Sequence, residues 1–172
     1  MNKGIYIATS EPDSGKSLVA LGLMRMLLSK TAKVGYFRPI IDNNSPGKKD
    51  NHINTVISHF DLNIKYDEAY GFTRSEFISK RNADKDGEIL DTIIEKYKTL
   101  EDRNDFMLVE GTDFSGEGTA IELDANILIA QNLGLPTLIV STGIGKSLDE
   151  FINGLHLAYD SFDEKGVKVS AV

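Results

Sequence analysis

The sequence predicts an α/β domain in three layers, a mostly parallel β-sheet with helices packed on both faces. Three observations predict it. Short apolar runs alternate with longer amphipathic ones along the 172 residues, which is the rhythm of βαβ units. The short runs are continuously apolar, as strands covered on both faces must be. The first strand-to-helix junction carries Gly15-Lys16-Ser17, where backbone N–H groups at a helix start make an anion site.

Taken in order, the run Gly4-Ile5-Tyr6-Ile7-Ala8 opens a strand at 4–9, and a helical pattern follows over 16–29. A second strand is expected at 33–38. The stretch 42–50, with Pro46-Gly47-Lys48-Lys49, reads as a mobile surface loop beside the ligand-facing edge of the sheet. Helices at 52–60 and 88–100 then lead to a third strand at 105–110. A helix at 120–132 stops at Asn132-Leu133-Gly134, and Pro136 starts a strand at 136–141. A second Gly-Lys-Ser stands at 145–147, but Ser147 and Glu150 form an S-x-x-E capping box, so it reads as the start of a helix at 147–162 and not as a phosphate site. The last strand, 167–172, stops while still apolar. Residues 1–172 are of a length for a single domain, and the apolar end is expected to mark a fragment of a longer polypeptide, the alternative being an edge strand that ends the protein.

Composition narrows the function. A formal net charge of -7 without a Lys/Arg-dense run argues against nucleic-acid or anionic-membrane binding, since both need a basic footprint. No cysteine and only 3 histidines leave no basis for disulfides or a zinc cluster. The N-terminal run is too short for a secretory signal, and a cytoplasmic location is expected.

The candidate site is the phosphate loop Ser10-Glu11-Pro12-Asp13-Ser14-Gly15-Lys16-Ser17. Its expected nucleotide-binding residues are Asp13, Ser14, Gly15, Lys16, Ser17 and Leu18. Gly15 lets the backbone approach a phosphate, Lys16 reaches the terminal phosphates, and the Ser17 hydroxyl coordinates Mg²⁺. Each charge-assisted hydrogen bond there contributes roughly 1.5 to 3 kcal/mol. Ser10 stands where a P-loop has its first glycine. Glu11 and Asp13 bring carboxylates into a loop for phosphate, and they either point away or bind a cation or second substrate.

Additional hard ligands for Mg²⁺ are expected from Glu110 and Asp50, directly or through water. Glu110 ends the third strand at the carboxyl edge of the sheet, where α/β ligands bind. Asp50 begins a helix and is equally suited to be its N-cap. Arg38 closes the second strand and suits a phosphate or carboxylate, or a neighbouring acid. The glycine-bearing segment 111–119 either covers the site or only connects elements.

Together Thr9 to Ser17, Tyr36-Phe37-Arg38-Pro39-Ile40, Asp50 and Leu108-Val109-Glu110-Gly111 resemble the dethiobiotin synthetase branch of P-loop proteins over nearly the whole chain. The resemblance implies the three-layer P-loop NTPase fold, phosphate binding by Lys16, and Mg²⁺ surrounded by Ser17, Asp50 and Glu110. Within the branch the chain looks closer to the N-terminal domain of long bacterial phosphate acetyltransferases than to the synthetase. In the synthetase a lysine stands where Arg38 is, and a serine and glycine follow where Ile41, Asp42 and Asn43 are. What the resemblance implies is a regulatory or assembly domain binding ATP or a related nucleotide with Mg²⁺. Acetyl transfer between coenzyme A and phosphate would belong to a C-terminal domain of the same polypeptide, within a homo-oligomer. The alternatives are an ATP-dependent ligase of the synthetase kind and a degenerate fold kept for oligomerisation.

Overall fold

The structure, a computed structural model, describes residues 3–42, 49–112 and 119–172. Six strands form one sheet: β1 (Gly4–Thr9), β2 (Val34–Ile41), β3 (Tyr70–Thr73), β4 (Phe106–Glu110), β5 (Thr137–Val140) and β6 (Val169–Ala171). Their order is β3-β2-β4-β1-β5-β6, and every pairing is parallel. The helices are α1 (Lys16–Leu28), α2 (Asn51–His59), α3 (Arg74–Arg81), α4 (Asp86–Glu101), α5 (Thr119–Leu133) and α6 (Leu148–Asp163).

The chain runs outward from β1 to β2 and β3, returns to insert β4 beside β1, and then crosses to β5 and β6. The direction of winding reverses at β1. Such a reversal leaves a crevice beyond the carboxyl ends of the strands. The register pairs Ile7 of β1 with Glu110 of β4, which sets Glu110 beside the loop that leaves β1.

The three central strands are buried by side chains such as Tyr6, Ile7, Tyr36, Phe37, Leu108 and Val109, all inaccessible to solvent. Full burial of such a side chain stabilises by about 1.5–3 kcal/mol. Helix α4 shows how periodicity builds a layer: its buried positions Ile89, Ile93, Tyr97 and Leu100 recur at the spacing of one helical face.

All five expected strands are present, and β2 runs on to Ile41. Pro39 is tolerated inside it because the β2–β4 register ends at Phe37↔Val109, while Arg38 and Ile40 carry the register with β3. The missing N–H of Pro39 faces the side where β4 has run out. Strand β3 and helix α3 were not expected from the sequence. Tyr70-Gly71-Phe72-Thr73 is too short for a periodic signal, and Gly71 argues against a strand. It is glycine because Pro39 O lies 2.5 Å from where a Cβ would stand. The loop expectation for 42–50 falls largely on residues 43–48, and that for 111–119 on 113–118, both outside the described residues. Among the described residues no helix is long and apolar enough to cross a membrane.

Candidate phosphate and cation site

The loop after β1 is shaped from within by Thr9. Its hydroxyl lies 2.6 Å from Ser14 Oγ and accepts from the Glu11 N–H at 3.2 Å. Asp13 takes a left-handed backbone at φ 55, and Gly15 follows at φ 84 as the N-cap of α1. Among the described residues nothing lies within 4 Å of the position a Gly15 Cβ would take, so its backbone angle and not crowding calls for glycine. No side chain among the described residues caps α1. The first-turn amides of a helix have no i−4 partner inside it, so a helix start that no described side chain caps suits an anion. The Leu18 N–H turns back to Gly15 O at 3.0 Å, and the Leu18 side chain is exposed.

Glu110 gathers the rest of the site around it. Lys16, 1% exposed, donates to Glu110 Oε1 at 3.2 Å and to Gly111 O at 2.6 Å. Ser17 Oγ donates to the same Oε1 at 3.1 Å. Tyr36, buried within β2, donates to Oε2. His52 Nδ1 stands 2.7 Å from Ser17 Oγ and 3.6 Å from Glu110 Oε1. Burial alone would raise the Glu110 carboxyl, but the Lys16 charge, the nearby His52 ring nitrogen, the Arg38 charge and the Tyr36 hydrogen bond outweigh it and hold it well below the usual carboxylate range. The same burial, with Glu110 alongside, pushes the Tyr36 phenol well up, so it remains a donor.

Asp50 is the N-cap that the sequence offered, and it is also the acid that pairs with Arg38. Its Oδ1 accepts the Ile53 N–H at 3.0 Å as the N-cap of α2, and its Oδ2 accepts Arg38 Nη1 at 2.7 Å. Arg38 is 3% exposed and bound into this pair. Glu11 points away from the phosphate position. Its carboxylate accepts from Lys146, from Ser141 Oγ at 2.9 Å and from the Thr142 N–H at 3.1 Å. Burial opposes its ionisation, but those donors lower its pKa below the ordinary value.

The segment after β4 is fixed by Asn126 of α5. Asn126 Oδ1 accepts from Tyr6 OH at 2.6 Å and from the Thr112 N–H at 3.0 Å, while its amide donates to Thr112 O. A Cβ on Gly111 would lie 2.5 Å from Asn126 Oδ1 and 2.8 Å from Ile7 O. Gly111 is thus glycine because the backbone must pass close by.

The residues present fit a phosphate-bound divalent cation: Ser17 Oγ and the ionised Glu110 Oε1 are hard oxygen donors 3.1 Å apart at the foot of the loop. The structure brings Lys16, Ser17 and Glu110 into direct contact and sets Asp50 and Arg38 together beside them. His52 and Tyr36 were missed from the sequence. A histidine at the second position of a helix and a tyrosine in an apolar strand carry no local signal of a site.

Residues 3–172 match the family described as an AAA domain. A phosphate acetyltransferase from Nitratidesulfovibrio vulgaris is 42% identical over 169 residues, covering 98% of this chain and 24% of that protein. The chain spans about a quarter of the length of that relative. An ATP-dependent dethiobiotin synthetase from Clostridium kluyveri is 25% identical over 186 residues, covering 100% of this chain and 73% of that one. Among solved structures, the BceF tyrosine kinase domain has a TM-score of 0.55 at 19% identity, covering 99% of this chain and 67% of its own. That likeness is one of fold.

Proposed function

The chain belongs to the AAA domain family, and from that premise we propose that it binds ATP or a related nucleotide with Mg²⁺ as a regulatory or assembly domain of a phosphate acetyltransferase. The observation that carries this reading is the convergence of Lys16, Ser17 and Glu110 at the start of α1, which no side chain among the described residues caps. The amides of the first turn take the phosphate oxygens. Lys16 leaves Glu110 and Gly111 O to meet the terminal phosphates, and Arg38 adds positive charge to the same edge. Ser17 and Glu110 hold the cation, with Asp50 acting through water while its own oxygens stay with Arg38 and Ile53. The cation neutralises phosphate charge.

Acyl transfer between coenzyme A and phosphate falls to a C-terminal part of the polypeptide, and a cytoplasmic homo-oligomer fits that role. Calorimetry with Mg²⁺ and ATP or ADP tests the reading: this chain should bind, and Lys16→Ala should weaken binding by at least about 100-fold, the loss of two charge-assisted bonds. Absence of binding in both this chain and one extended beyond Val172 would sink it. A second reading, an ATP-dependent ligase, is favoured by the synthetase likeness over the whole chain. Release of ADP that depends on a diamino acid and CO₂ would decide for it.

A further inference from the structure

We propose that His52 is a ligand of the divalent cation at the phosphate loop and biases that site from Mg²⁺ towards Mn²⁺, an inference that rests on the nucleotide reading above. Ser17 Oγ, Glu110 Oε1 and His52 Nδ1 form a triangle with edges of 2.7, 3.1 and 3.6 Å. Neighbouring donors around a six-coordinate cation held at about 2.0–2.2 Å stand about 3 Å apart, so the three atoms match one face of an octahedron.

The position is built and not incidental. Asp50 caps α2, which sets the helix start, and His52 follows at its second residue. Asp50, the second acid expected near the metal, has both oxygens engaged, Oδ1 by Ile53 and Oδ2 by Arg38. The imidazole two residues later occupies the place of a third protein donor. Beside the triangle lies a cavity of about 230 Å³ lined by Ser17, Leu21, His52, Thr55 and Glu110 among others, which leaves room for the cation to keep waters.

An imidazole nitrogen among oxygen donors suits a first-row transition ion, whereas Mg²⁺ is selective for oxygen. The site would therefore take Mn²⁺ with a nucleoside diphosphate more tightly than Mg²⁺. The imidazole is 42% exposed, so its replacement should leave the fold intact.

The test is pulsed electron paramagnetic resonance of Mn²⁺ with ADP on the chain, together with calorimetric affinities for Mn·ADP and Mg·ADP. A histidine nitrogen coupling to Mn²⁺ is expected. It should vanish in His52→Ala, with the preference for Mn²⁺ over Mg²⁺ falling by roughly tenfold, the scale on which a single metal-site partner acts. His59→Ala should keep both. If both metal–ADP complexes bind without nitrogen coupling and His52→Ala keeps the preference, the His52 assignment is overturned and the nucleotide reading stands. If ADP binds with neither cation, in this chain and in one extended beyond Val172, both fall.

Discussion

The chain contains Gly-Lys-Ser twice, each after a strand and before a helix, and the two copies fold differently. Both glycines are left-handed, Gly15 at φ 84 and Gly145 at φ 75. At the first copy the helix begins at Lys16, and Ser17 already lies inside it facing Glu110. At the second the helix begins one residue beyond the serine. Ser147 is the N-cap, its hydroxyl accepting the Glu150 N–H while Glu150 reaches back to the Ser147 N–H at 2.7 Å. Helix α6 is thus capped by its own side chains, and no described side chain caps α1. The lysines part in the same way: Lys16 is buried on Glu110, whereas Lys146 is partly exposed and pairs with the Glu11 carboxylate of the first loop. The tripeptide alone does not fix how the helix begins. The residue three positions beyond its serine decides, Ala20 in one helix and Glu150 in the other.

The largest effect on this contrast should come from Glu110. Removing it in Glu110→Ala leaves Lys16 buried without its carboxylate, which costs about 3–5 kcal/mol, measurable by urea denaturation. Because the Glu110 carboxyl is held below its unfolded value, its stabilisation is full above about pH 4.3 and is lost as pH falls through the folded value. The acid limb of a stability profile should flatten in Glu110→Gln. Next in size is Ser147→Ala, which removes the α6 cap and should cost about 1 kcal/mol without touching nucleotide affinity. An equal effect from Ser17→Ala on stability would erase the distinction between the two serines. The smallest is Lys146→Met. A partly exposed pair contributes about 0–1 kcal/mol, so thermal melting should barely move, whereas the Glu11 carboxyl, followed by carbon-detected titration, should rise towards its ordinary value.

Much of this was legible in the sequence. Strand β1, the loop and α1 announce themselves because local chemistry decides them: an apolar run, a turn and a glycine at the start of a helix, although the left-handed angle that calls for Gly15 was not foreseen. The capping box of α6 is equally local. Glu110 was legible as a strand end followed by Gly111, although the close approach to Asn126 that requires Gly111 was not. What the sequence hid is whatever distant contacts create. Strand β3 exists through its register with β2, Tyr36 matters only because Glu110 lies across from it, and Glu11 is answered by a lysine 135 residues away. His52 belongs with these, since its neighbour Ser17 comes from another helix.

The tie from Asn126 to Thr112 has one more consequence. The Thr112 N–H is enclosed between α5 and the end of β4, closed by a side chain and not by the sheet. Its exchange with deuterium therefore depends on α5 lifting from β1, while the amides of β4 exchange only when strands part. One amide in the spectrum is thus a clock for the seating of a single helix, kept separately from the time scale on which the domain as a whole unfolds.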